Sequence, residues 1–192
     1  MKPFNNWNDV QAPTDRPKLP MGGYICQILG AKEKTTQSGK SMLEVSFDII
    51  EGEYADFYRN DYKMQNREDK YWKGVIRYFL PEEDGSERDN WTKSRFKGFT
   101  NAVEESNPNY HWDWNEDGLK GKYIGMVTRN EEWEYNGKTG FTVKPYSFET
   151  VEKIKNKTYY IPKDKYLNGE APATAPTTQS ADYSAIDDDL PF

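Results

Sequence analysis

From Met42 to Ile50 the chain alternates: Leu43, Val45, Phe47 and Ile49 fall on one side of a strand, and Glu44, Ser46 and Asp48 on the other. The run Gly23 to Lys34 is rich in strand formers, with Gly30 as a bend or bulge. The polar turn Thr35 to Lys40 joins these two runs into a hairpin. The same reading predicts a third strand over Tyr71–Leu80, a fourth over Lys122–Tyr135 and a fifth over Thr139–Val151. The last two are joined by a tight turn at Asn136-Gly137. One helix is predicted, Trp91 to Ser106. Asn90 is its cap, Phe96, Phe99, Thr100 and Val103 recur at helical spacing, and Asn107-Pro108 stops it. Residues 51–70 and the charged stretch Glu82 to Asn90 read as irregular, and the basic, aromatic residues 152–166 receive no assignment.

The predicted order is three strands, a helix, then two strands. That is the order of the OB-fold, a five-stranded Greek-key barrel that binds oligonucleotides with its strand 2–3 face and two of its loops, here residues 35–40 and 135–140. The expected fold is therefore mainly β, an OB-like barrel with one helix between strands 3 and 4. Three regions follow. Residues 1–21, with Pro3, Pro13, Pro17 and Pro20, form an irregular arm, and residues 22–166 form the barrel domain. Residues 167–192, dominated by Ala, Pro, Thr and Ser, form a disordered tail, because so little apolar surface cannot offset chain entropy.

Composition narrows the function. Only 35% of the residues are hydrophobic, and no run approaches the roughly 18 apolar residues of a spanning helix. The start, MKPFNNWNDV, lacks the apolar core of a secretory signal. A single cysteine, Cys26, excludes an internal disulfide. A single histidine, His111, argues against a Cys/His zinc site and most nucleophilic triads. The location this implies is a reducing cytoplasm. No GxxxxGK[ST] or GxGxxG motif is present, so a nucleotide-driven motor is excluded, and Ser38-Gly39-Lys40 is only a turn. Carboxylates cluster at Glu82, Glu83, Asp84 and Glu87, at Glu104 and Glu105, and at Glu131, Glu132 and Glu134. These raise a metal-dependent nuclease, but the loop cluster reads as solvated charge. The expectation is a non-enzyme with no cofactor and no metal.

Six Trp, 14 Tyr and nine Phe are many for so polar a chain. Most serve the core, and the remainder interleave with cations, as sequence-independent single-strand binding requires: rings for bases, cations for phosphates. Three stretches do so: Tyr58, Arg59, Tyr62 and Lys63; Tyr71, Trp72, Lys73, Arg77 and Tyr78; and Arg129 to Tyr146 around the last hairpin. The candidate DNA-binding residues are Tyr71, Arg77, Arg129, Trp133, Tyr135, Lys138, Lys144 and Tyr146. Thr142, Lys144, Tyr146 and Phe148 are expected on one face of the last strand, which makes Tyr146 and Phe148 candidate stacking rings. Trp91, Trp112 and Trp114 are assigned to structure, the last two pinning the helix exit, and His111 to the surface.

The net charge of -6 is unevenly spread. Residues 167–192 contain Glu170, Asp182, Asp187, Asp188 and Asp189 and no Lys or Arg, so nearly all the excess sits at the end. The chain closes on Asp187, Asp188, Asp189, Leu190, Pro191 and Phe192, where an apolar tip follows the aspartates. This suits a short linear ligand whose ring fills a pocket while its carboxylates meet a basic rim.

That ending resembles the acidic tip of bacterial single-stranded DNA-binding proteins. The body motif FKGFTNAVEESNPNYHWDW, followed by GLKGKYIGMV and the Asn-Gly hairpin, resembles single-stranded DNA-binding proteins of phages of Gram-positive bacteria. The resemblance covers roughly Gly22 to Lys157 and the tip. It implies an OB-fold, sequence-independent single-strand binding in the host cytoplasm, and recruitment of replication and recombination proteins through Asp187–Phe192. The body is longer than in the bacterial protein, which leaves the oligomeric state open. The alternative is an OB-like interaction adaptor that binds no nucleic acid, supported by the near-neutral body; a nuclease ranks below it.

Overall fold

The computed structural model describes residues 2, 5 and 17–169. Five strands form one antiparallel sheet: β1 (Gly23–Thr35), β2 (Ser41–Ile49), β3 (Val75–Phe79), β4 (Tyr123–Tyr135) and β5 (Lys138–Glu149), in the order β3-β2-β1-β4-β5. The alternation in β2 acts as the pattern predicts, with Leu43, Val45, Phe47 and Ile49 all buried against Cys26, Ile28, Ile124 and Met126. In β1 the register slips between Ile28 and Gly30, so the bulge expected at Gly30 is present. At the β4–β5 turn, Asn136 and Gly137 both have positive φ, 51° and 70°, as a two-residue turn of this twist demands.

The expected barrel is not closed: β3 and β5 remain the two edges of the sheet. Side chains bridge the gap instead. Tyr78 of β3 stacks on Phe148 of β5 with centroids 6.2 Å apart, and Phe99 lies 4.8 Å from Tyr78 and 5.4 Å from Phe148. Phe99 belongs to α2 (Glu87–Ser106), which fills the seam. β3 is short because Tyr71–Gly74, expected in the strand, is not part of it.

Helices account for the other departures from expectation. α2 starts at Glu87 rather than Trp91, because Ser86, not Asn90, is the cap. The Ser86 hydroxyl accepts from the Asp89 N–H at 3.1 Å, and the Asp89 carboxylate accepts from the Glu83 N–H at 2.9 Å. Its end falls where predicted. The Asn107 side chain donates to the carbonyls of Val103 and Tyr123 and accepts from the Tyr123 N–H, which ties the helix exit to the start of β4.

Two helices occupy stretches without a predicted element: α1 (Phe57–Met64) and α3 (Val151–Asn156). Asp56, at the cap position of α1, makes no side-chain cap bond. Asp48 of β2 supplies it from across the fold, accepting from the N–H groups of Tyr58 at 3.0 Å and Arg59 at 3.2 Å. α3 packs on the outer face of β1 and β4, where Gly125 lets Ile154 approach so closely that a Cβ at that position would meet Ile154 Cγ1 at 2.4 Å. Beyond α3, Lys165 pairs in parallel with Glu131 on the stretch of β4 that β1 leaves uncovered. The expected acidic tip, Asp187–Phe192, lies outside the described residues, as does most of the N-terminal arm. Among the described residues no helix is long and apolar enough to cross a membrane.

Candidate nucleic-acid interface

Opposed residues in an antiparallel ladder put their side chains on the same face. In the β4–β5 hairpin Arg129 opposes Lys144, Glu131 opposes Thr142, Trp133 opposes Gly140 and Tyr135 opposes Lys138. Five of the eight candidates, Arg129, Trp133, Tyr135, Lys138 and Lys144, therefore share one face. Trp133 lies across Gly140, where a Cβ would sit 2.8 Å from the indole Cζ2. The ring is thus supported from below and 41% exposed, and Tyr135 at the tip is 71% exposed. The opposite face of the hairpin is partly occupied: Phe141 meets Tyr166 edge to face at 5.5 Å, and the Asn130 side chain donates to Asp164.

Tyr146 also reaches this face, two residues on from Lys144 as alternation predicts, and it stands at the point where the register slips. Val127 opposes Ser147 and Thr128 opposes Pro145, so Tyr146 is the extra residue of a bulge. Its ring packs against Arg129, whose guanidinium carbon is 4.4 Å from the centroid. The bulge also corrects the expectation for Phe148. One inserted residue inverts the facing of everything after it, so Phe148 shares no face with Lys144. It points into the core, against Phe47 and Tyr78.

The remaining two candidates lie elsewhere. Tyr71 sits in the connection between α1 and β3, exposed, with Arg67 at 5.1 Å and Lys73 at 5.9 Å from its ring. Arg77 lies on the outer face of β3 opposite Glu44, towards the β1–β2 turn. The antiparallel pairing of β1 with β4 sends the two hairpin tips to opposite ends of the sheet, so Arg77 is not grouped with Trp133. Of the other rings in the interleaved stretches, Tyr58 and Tyr78 are core.

Glu131, named from the sequence only among the carboxylates of a nuclease reading, belongs to this face. It accepts from Arg129 at 2.9 Å and from Lys144 at 2.8 Å, so it binds two of the candidate cations to each other. Its period-two spacing from Arg129 was the available signal. Glu44 does the same at the opposite end of the sheet, between Lys34 and Arg77. Burial pushes both carboxyls up, but the hydrogen bonds from their cationic partners outweigh it and hold each below its ordinary value. The face is thus cationic but partly compensated, and a phosphate must compete with Glu131.

A depressed carboxyl stabilises the folded state above its unfolded value, near 4.3, and loses that contribution as pH falls through the folded one. Glu131→Gln should therefore cost about 1 kcal/mol at neutral pH. The cost should vanish once the pH drops below the carboxylate range, as read by urea unfolding. A deficit independent of pH would assign the loss to packing rather than to charge.

The three tryptophans assigned to structure divide. Trp112 packs against the core beside Phe96 at 5.9 Å, and its main-chain N–H donates to the Glu104 carboxylate. Trp91 and Trp114 are exposed. His111 is on the surface, 3.5 Å from Glu104. No protein-family model matches the chain, and no curated protein matches it significantly.

Proposed function

We propose that this protein binds single-stranded DNA without sequence preference. As a phage protein it covers exposed strands during replication and recombination in the host cytoplasm, and it recruits partner proteins through Asp187–Phe192. The observation that carries the reading is the β4–β5 hairpin. Two exposed rings, Trp133 and Tyr135, stand on one face with Arg129, Lys138 and Lys144, so stacking surfaces and phosphate partners alternate along a ribbon open to solvent. The order of elements, with a helix between the third and fourth strands, supports an OB-type sheet left open at its β3/β5 seam.

The competing reading, an interaction module of the same shape that ignores nucleic acid, draws support from the ion pairs that engage Arg129, Lys144 and Arg77. Titration with oligo-dT separates the two. Tryptophan emission should be quenched, and log affinity should fall against log salt with a slope of about -2, at about 0.7 per cation for the three on the hairpin. Glu131→Gln should tighten binding by releasing Arg129 and Lys144. Duplex of equal length, which offers no free base faces, should bind far more weakly; equal affinity for duplex and single strand would sink the proposal.

A further inference from the structure

α2 and the connection after it present a second surface of rings and cations, distant from the hairpin. Trp114 is 80% exposed and has φ 66°, a left-handed backbone that bulky side chains rarely adopt. One indole face lies nearly parallel on Phe96, at 6.4 Å and 13°, and Trp112 meets the ring at a tilt, 6.1 Å away. Trp91, one turn before Arg95, offers another exposed ring. The Arg95 guanidinium lies 5.0 Å from the Trp91 centroid and 5.7 Å from that of Tyr78. From Asn90 to Val103 the helix carries Lys93, Arg95 and Lys97 and not one carboxylate. Lys93 is tied to Asp89, but among the described residues no carboxylate pairs with Arg95 or Lys97. This surface is less compensated than the hairpin, where Arg129 and Lys144 share Glu131.

We propose that the exposed side of α2 together with the connection after it, through Trp91, Arg95 and Lys97 on the helix and Trp114 on the connection, is a second contact for single-stranded nucleic acid. It would extend the path of a strand held at the hairpin, and it rests on the single-strand reading above. Trp91 with Arg95 on α2, and Trp114 on the connection that follows the helix, supply rings and cations of the kinds that a strand's bases and phosphates require. An acidic peptide would use the cations but has no need of an open indole face supported by Phe96. The two surfaces are well separated. Phe148, which α2 touches through Phe99, is eight residues along β5 from Gly140 under Trp133, a span of roughly 26 Å. Only a strand of several nucleotides could reach from one to the other.

The test compares oligo-dT of about 5 and about 20 nucleotides, lengths near the lower end of and beyond the usual single-domain site. It uses the full chain and three variants: Trp114→Ala, Arg95→Gln/Lys97→Gln and Trp133→Ala. Trp114→Ala should weaken binding of the longer strand roughly 5- to 150-fold. The double variant should flatten its salt slope by about 1.4, two cations at about 0.7 each. The shorter strand, held through Trp133, should be unaffected by both. All four proteins are melted alongside; Trp114 and Lys97 are exposed, so their loss should leave the fold intact.

Should Trp133→Ala weaken the longer strand while both α2 variants match the wild type in affinity and slope, the α2 surface is overturned and is left to a protein partner. A wild type that binds neither strand overturns the single-strand reading itself, and the α2 contact with it.

Discussion

Asp48→Ala should destabilise the protein by about 3 kcal/mol, a large share of the roughly 5–15 kcal/mol that holds an ordinary domain folded. Asp48 is 1% exposed. One carboxylate oxygen accepts from its neighbour's N–H, at Ile49, and from Tyr58; the other accepts from Arg59. Alanine would leave three main-chain donors without a partner, two of them on the first turn of α1, whose own cap residue makes no cap bond. Each orphan costs about 1–3 kcal/mol if it stays dry, and water reaching the loosened end of α1 brings the sum below three full penalties. Burial pushes the Asp48 carboxyl up against the pull of those donors. Asp48→Asn, which keeps one acceptor oxygen and has no charge to desolvate, should therefore cost less than half as much. Urea unfolding of the two variants decides the matter. Equal losses would mean that the side chain's volume, not its acceptor geometry, is what counts.

Trp133→Ala should weaken single-strand binding by about 1–3 kcal/mol, the contribution of one stacked base. The structural role of the ring must be separated from that effect. Covering Gly140 supports the hairpin by up to about 1 kcal/mol, as cross-strand pairs do. That loss would appear in the melt and not in the affinity of the molecules still folded. Trp133→Phe should recover most of the melting loss and only part of the affinity, since the smaller ring offers less area to a base. Normal binding by Trp133→Ala would remove the hairpin from the interface and direct attention to Tyr71 and its cations.

The strands were legible because their information is local. The run Leu43, Val45, Phe47, Ile49 reports its own burial, and Asn136-Gly137 reports its own turn. α1 was not legible, because its cap is Asp48, separated from Tyr58 by ten residues and the end of a strand. The start of α2 was legible in principle: Ser86 followed three residues later by Asp89 is a capping pattern, hidden inside what reads as a run of charge. The shared facing of Thr142, Lys144 and Tyr146 was legible because period two holds up to Tyr146. It failed at Phe148 because a single extra residue is invisible to a test for alternation. The exposure of Trp114 was equally hidden, since nothing in Trp112-Asp113-Trp114 says which indole turns inward.

The bulge at Tyr146 also has an architectural meaning. It works as a phase shifter: core positions before it in space, such as Phe148, and the exposed hairpin positions beyond it obey separate parities. The outer half of the hairpin can therefore be rewritten, residue by residue, without passing a constraint into the interior. Removing that one residue would couple the two halves again, so that any sequence suited to the interior would present its hairpin to the wrong side. The hairpin is in this sense an exchangeable cassette, and Tyr146 is the joint at which it is mounted.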